Sequence, residues 1–139
     1  MADFEEKIVI TNVAKATLSS IIASGSPTFQ ISAFSVGTGG YLPRNPFIAV
    51  PPDPNATGLT NEIFRSQNVP TENIGNSTKV YVCAIQPGDA VGALGELGLW
   101  ATYLSGPNAG QVFLFAIQNF PVISITGNGS YTWRMVVPI

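Results

Sequence analysis

Ile8-Val9-Ile10-Thr11-Asn12-Val13-Ala14-Lys15-Ala16-Thr17-Leu18-Ser19-Ser20-Ile21-Ile22-Ala23-Ser24-Gly25 is the stretch that decides the fold. It is the one convincing helix in the chain, and everything beyond it reads as strands. Thr11 or Asn12 can cap the helix by accepting a backbone N–H bond. Val13 or Ala14, then Leu18, Ile21 and Ile22, recur at three- and four-residue spacing and form one apolar stripe. Lys15, Ser19 and Ser20 fall off that stripe. Gly25 suits a C-terminal cap, and Pro27 forbids continuation. About three turns of helix do not persist alone in water, so the stripe must pack on something.

Working outward, Phe29 to Val36 reads as a strand that stops at Gly37. Lys79-Val80-Tyr81-Val82-Cys83-Ala84-Ile85 is rich in β-branched and aromatic residues and stops at Pro87-Gly88. Leu94 to Tyr103 is a further strand, interrupted by Gly95 and Gly98. Gln111 to Gln118 follows the turn Gly106-Pro107-Asn108-Ala109-Gly110. Val122 to Thr126 and Tyr131 to Val137 flank Gly127-Asn128-Gly129, which has the composition of a hairpin turn. The expectation is an α+β fold: one N-terminal helix packed on a mostly antiparallel β-sheet or sandwich of about six strands. Residues 1–139 read as one domain, without an internal repeat.

The stretch from Thr38 to Thr57 departs from this pattern. Pro43, Pro46, Pro51, Pro52 and Pro54 remove donors and favour extended backbone. A structureless loop of roughly 20 residues is uncommon in a compact domain and usually has a job. Phe47, Ile48 and Val50 lie inside it. Two readings stand side by side: a loop lying over its own core, or a long arm that docks these residues on a neighbouring subunit.

Composition narrows the function. Only 10 % of residues are charged, against about 25 % in an ordinary domain, so much of the surface is expected to be covered by other chains. A net charge of −2 with no basic cluster argues against a nucleic-acid partner. There is no histidine, which removes histidine triads and most zinc sites. No metal and no cofactor is expected. The single cysteine, Cys83, cannot form an internal disulfide and sits mid-strand, where an inert buried thiol is expected. The polar, acidic start around Asp3, Glu5 and Glu6 does not read as a signal peptide and is expected to fray. The apolar run Val112 to Ile117 is far short of the roughly 18 residues that span a bilayer, so no membrane role is expected.

Candidate chemistry is sparse. Gly37-Thr38-Gly39-Gly40 follows a strand as a phosphate loop would, but lacks the Lys-Ser/Thr that completes one. It reads as a turn. Glu62 and Glu96 are the acidic residues embedded in apolar, ordered-looking context. They could act as a carboxylate pair on a glycosidic bond. Otherwise one is a buried carboxylate paired with Arg65 or Arg134, since a buried charge needs a partner. Asn55-Ala56-Thr57, Asn76-Ser77-Thr78 and Asn128-Gly129-Ser130 match glycosylation sequons by chance in a chain rich in these residues. Trp100 and Trp133 lie in strand patterns as core or interface anchors.

The order of segments resembles the N-terminal attachment domain of bacteriophage tail-collar fibre proteins. Ile10-Thr11-Asn12 is similar to the start of that family's helix, and Phe34 to Gly39 to the strand ending in Val-Gly. Leu59-Thr60-Asn61-Glu62-Ile63-Phe64-Arg65 and Glu96-Leu97-Gly98-Leu99-Trp100 resemble its two most specific segments. Pro121-Val122-Ile123-Ser124-Ile125 and Tyr131-Thr132-Trp133-Arg134-Met135 resemble its end. The likeness covers roughly residues 8–137. The prolines from Leu42 to Pro54 make that segment longer than in the family. The chain stops where fibre proteins continue into a shaft, so an adaptor is expected rather than the fibre.

The resemblance implies a structural virion protein that works as a homotrimer. It would be assembled in the host cytoplasm and would attach a tail fibre or spike to a baseplate or wedge protein. It is not expected to be an enzyme. Glu96 and Arg65 are then expected to form a buried ion pair with Glu62 nearby, and Phe47, Ile48, Val50, Trp100 and Trp133 to serve a subunit interface. A second reading is a host-glycan or receptor binding module that uses Tyr41, Tyr103, Trp100 and the Gly106–Gly110 loop. A third is a hydrolase using Glu62 and Glu96.

Overall fold

Strand pairing dominates this chain. A computed structural model describes residues 8–42, 44–74 and 78–138. In chain order the elements are β1 (Val9–Ile10), α1 (Asn12–Ser24), β2 (Phe29–Gly37), β3 (Tyr41–Leu42), β4 (Asn45–Ala49), β5 (Glu62–Ser66), β6 (Thr71–Ile74), β7 (Thr78–Ile85), β8 (Gly92–Tyr103), β9 (Val112–Ile125) and β10 (Tyr131–Pro138). A five-stranded sheet runs β1-β9-β8-β2-β5, a three-stranded sheet runs β10-β7-β6, and β3 pairs with β4. Every pairing is antiparallel.

This overturns the α+β expectation. The fold is mostly β, with one short helix and three sheets in place of a helix on a six-stranded sandwich with a long arm. The proline-rich stretch is not an arm. It turns back as the β3–β4 hairpin, with Tyr41 opposite Ala49, and is tied to its own chain. The Val50 N–H donates to the Gly40 carbonyl, and the Pro54 carbonyl accepts from the Asn12 N–H at the helix start. Pro46 falls within β4, on a two-stranded ribbon where a missing donor is tolerated, and Pro51, Pro52 and Pro54 follow the ribbon outside any strand.

The helix forms where its caps place it. Thr11 Oγ1 accepts from the Ala14 N–H at 3.2 Å and donates to the Leu114 carbonyl at 2.6 Å. Gly25 adopts a left-handed φ of 76° and returns its N–H to the Ile21 carbonyl. The apolar stripe is only partly used: Ala14 and Thr17 are buried, whereas Leu18 and Ile22 remain exposed.

The main core lies between the two larger sheets. Phe34, Leu97, Leu99, Phe113 and Phe120 from one meet Cys83, Ile85, Met135 and Val137 from the other. A smaller cluster, Ala33, Trp100, Leu114 and Ile117, sits apart, with Ala56 and Leu59 packed against it. The turn at Gly127-Asn128-Gly129 does not close a hairpin. β10 pairs with β7, so this turn carries the chain from the large sheet to the small one.

Cys83 is fully buried, and burial pushes its thiol from an ordinary 9.0 up to about 12. Thiolate is the reactive form, so the folded protein is expected to resist a thiol reagent at pH 8 and to react at once in denaturant. A native titre of one thiol per chain would contradict this packing. The raised pKa also has a sign for stability. The folded thiol keeps its proton where the unfolded one loses it, so this contribution is present below about pH 9 and is lost as pH rises toward 12.

Candidate functional site

The most constrained polar group is the Glu96 carboxylate. β8 places it opposite Gly37 of β2 and Asn119 of β9, in the middle of the large sheet, where it is 1 % exposed. Three backbone N–H groups converge on it. Gly39 donates to Oε2 at 2.9 Å, Asn61 to Oε2 at 2.8 Å and Thr60 to Oε1 at 2.8 Å. A carboxylate taken from water needs such charge-assisted bonds to offset its lost hydration. The Gly-rich turn after β2 therefore cradles an anion, but one supplied by its own chain. The same two segments also bond each other. The Thr38 N–H donates to the Asn61 carbonyl at 3.0 Å, and Asn61 Nδ2 donates to Thr38 Oγ1 at 2.6 Å.

The expected Glu96–Arg65 ion pair is not formed. Arg65 bonds Glu62 instead, with Nη2 at 2.7 Å from Oε1 and Nε at 3.2 Å from Oε2. A bulge explains this choice. Gly37 faces Glu62, yet Val36 faces Phe64, so Ile63 is an extra residue and Glu62 and Arg65 come to the same face of β5. Both side chains are about one-third exposed, so the pair adds little to stability. The Arg65 guanidinium also lies 4.0 Å from the centre of the Trp100 ring, whose Nε1 donates to Ser35 Oγ at 2.7 Å. Arg134 pairs with Glu72 at 3.6 Å, where both are more than half exposed.

Beside Glu96 is a recess of about 420 Å³, bordered by Thr38, Tyr41, Asp53, Thr60 and Asn119. Asn119 Nδ2 donates to the Val50 carbonyl at 2.8 Å, while its Oδ1 is buried without a hydrogen bond. Among the described residues no three His, Cys, Asp or Glu side chains converge as a metal site would require.

The other sequence-derived candidates are scattered. Trp100 is buried beneath Arg65, and Trp133 stacks on Phe120 with ring centres 5.7 Å apart. Val50 is held by backbone bonds to its own chain, whereas Phe47 and Ile48 are exposed. Tyr41 packs at the Gly95 end of β8, and Tyr103 sits at its other end, 4.6 Å from Phe113 between ring centres. Tyr41, Trp100 and Tyr103 thus form no common aromatic surface. The Asp3, Glu5 and Glu6 stretch and the Asn76-Ser77 part of one sequon lie outside the described residues.

No protein-family model matches the chain, and comparison with curated proteins finds no match. The Glu96 joint was only half visible in the sequence. An embedded Glu signalled a need for partners, but backbone amides leave no residue-type signature.

Proposed function

We propose that the chain is a structural virion protein of a phage tail, a baseplate or collar adaptor that attaches a fibre or spike as a homotrimer. One observation carries this reading. The two segments most like the tail-collar family, Leu59 to Arg65 and Glu96 to Trp100, meet at a single joint, where the Glu96 carboxylate takes the Thr60 and Asn61 N–H groups. That joint uses three backbone amides to hold a carboxylate that is 1 % exposed, which suits a part that carries load. The low charge, 10 % of residues, suits a chain with much of its surface against neighbours.

Light scattering on a sizing column tests the assembly. The expected mass is three times 14.6 kDa, about 44 kDa. A mass of 14.6 kDa at every concentration would count against the homotrimer. Attachment is tested by mixing the chain with baseplate and fibre proteins of a tailed phage that encodes it. Binding of the isolated chain to host cells, without capture of either tail protein, would favour receptor binding instead.

A further inference from the structure

Among the described residues, two of the uncovered apolar features stand out. The first is a knob on the β3–β4 hairpin, where Phe47 is 75 % exposed and Ile48 is 48 % exposed. The second is a cleft of about 530 Å³ between α1 and the small sheet, walled by Leu18, Phe29, Ile31, Tyr81, Phe115 and Val137. Ile22, one turn beyond Leu18 on the same side of the helix, is 87 % exposed. Single exposed apolar residues are ordinary, but a clustered knob and a concave apolar groove on one charge-poor chain call for an occupant.

The two features lie at different ends of the large sheet. The hairpin stem packs where Gly40 approaches Gly95. The cleft begins where Phe29 faces Tyr103 and Ile31 faces Ala101. Gly95 and Ala101 are six residues apart on β8, roughly 20 Å at the rise of a strand. A knob at one end and a hole at the other make a head-to-tail contact, and such contacts generate rings when the rotation closes.

We infer that the β3–β4 hairpin of one copy seats Phe47 and Ile48 in the α1–small-sheet cleft of the next. This rests on the homotrimer reading and names the surfaces that build it. The charged residue of the hairpin is Arg44, and that of the cleft lining is Lys79. They share a sign, so the contact is apolar rather than ionic, and added salt strengthens it or leaves it unchanged.

Two surface variants test this by exchange. Phe47→Ser removes the knob and keeps the cleft, and Leu18→Arg blocks the cleft and keeps the knob. Each alone is expected to run as a monomer. Mixed, they retain one intact contact and are expected to form a dimer of twice 14.6 kDa, about 29 kDa, and nothing larger. If both variants keep the wild-type trimer mass, the trimer stands but uses another face, and this inference fails alone. If the mixture stays monomeric, the knob does not fit the cleft. A monomeric wild type at its highest soluble concentration overturns both. Circular dichroism and thermal melts confirm that each variant folds, with Ile48→Ser as a second knob variant and Ile22→Arg as a second variant on the same side of the helix.

Discussion

Glu96→Gln is expected to lower the stability of the chain by about 3 kcal/mol. Oε1 and Oε2 both accept backbone N–H bonds, one from Thr60 and two from Gly39 and Asn61. A glutamine has one oxygen. With that oxygen at the Oε2 position, the Thr60 N–H faces an amide nitrogen; flipped, two N–H groups do. An unsatisfied buried donor costs about 1–3 kcal/mol, and the surviving bonds lose the roughly twofold strength that charge lends them. For a chain of this size that is a fall of about 10 °C in Tm. Urea melts should show the same loss as a lower midpoint with an unchanged slope. An unshifted midpoint would mean that the carboxylate is not what ties the two segments.

A comparable loss, above about 3 kcal/mol, is expected from Gly40→Ala, with a contribution from each of two sources. Gly40 sits at φ +87°, where a side chain costs about 1–2 kcal/mol. Its missing Cβ would also press on the Gly95 carbonyl oxygen and on the Asn119 side chain. Backbone cannot yield as a flexible side chain can, so the β3–β4 hairpin would have to lift from β9. Gly88 supplies the control, because it has a similar φ of +86° and nothing within 4 Å of its would-be Cβ. Gly88→Ala should therefore cost about 1–2 kcal/mol. Equal losses at the two positions would show that the close approach at Gly40 contributes nothing.

Local signals in the sequence were reliable where one residue decides one element. Thr11 and Gly25 bound the helix where cap chemistry places them. The β-branched and aromatic run from Lys79 to Ile85 marks β7 almost to the residue. What failed required partners distant in sequence. Pro121 reads as a break between two strands, yet β9 runs through it from Val112 to Ile125. The ladder skips there: Glu96 faces Asn119 and Leu94 faces Ile123, so three residues including Pro121 oppose Gly95 alone, where no donor is needed. The Gly127–Gly129 turn reads as a hairpin because turn composition says nothing about which sheet receives the next strand. The prolines between Leu42 and Pro54 hid β3 and β4, since a strand on the rim of a ribbon tolerates what an inner strand does not.

The site was legible to the same degree. Glu62, Arg65 and Glu96 stand out in the sequence as embedded charges, but their partners are not readable there. The bulge at Ile63 reverses the face on which Arg65 emerges and so gives it to Glu62. Trp100 looked like an interface anchor because aromatic content does not distinguish a surface ring from one roofed by an arginine.

The long β8–β9 pairing has a mechanical consequence. Its ladder extends from Gly92 opposite Ile125 to Thr102 opposite Val112. Bonds in such a ladder stand perpendicular to the strands. Tension applied along the strand axis shears all of them together, so rupture must be collective. Tension applied across the axis peels the ladder open one bond at a time, as a zipper. The chain is therefore strong in one direction and weak in another, and the direction of pull in an assembly would decide how much force it bears.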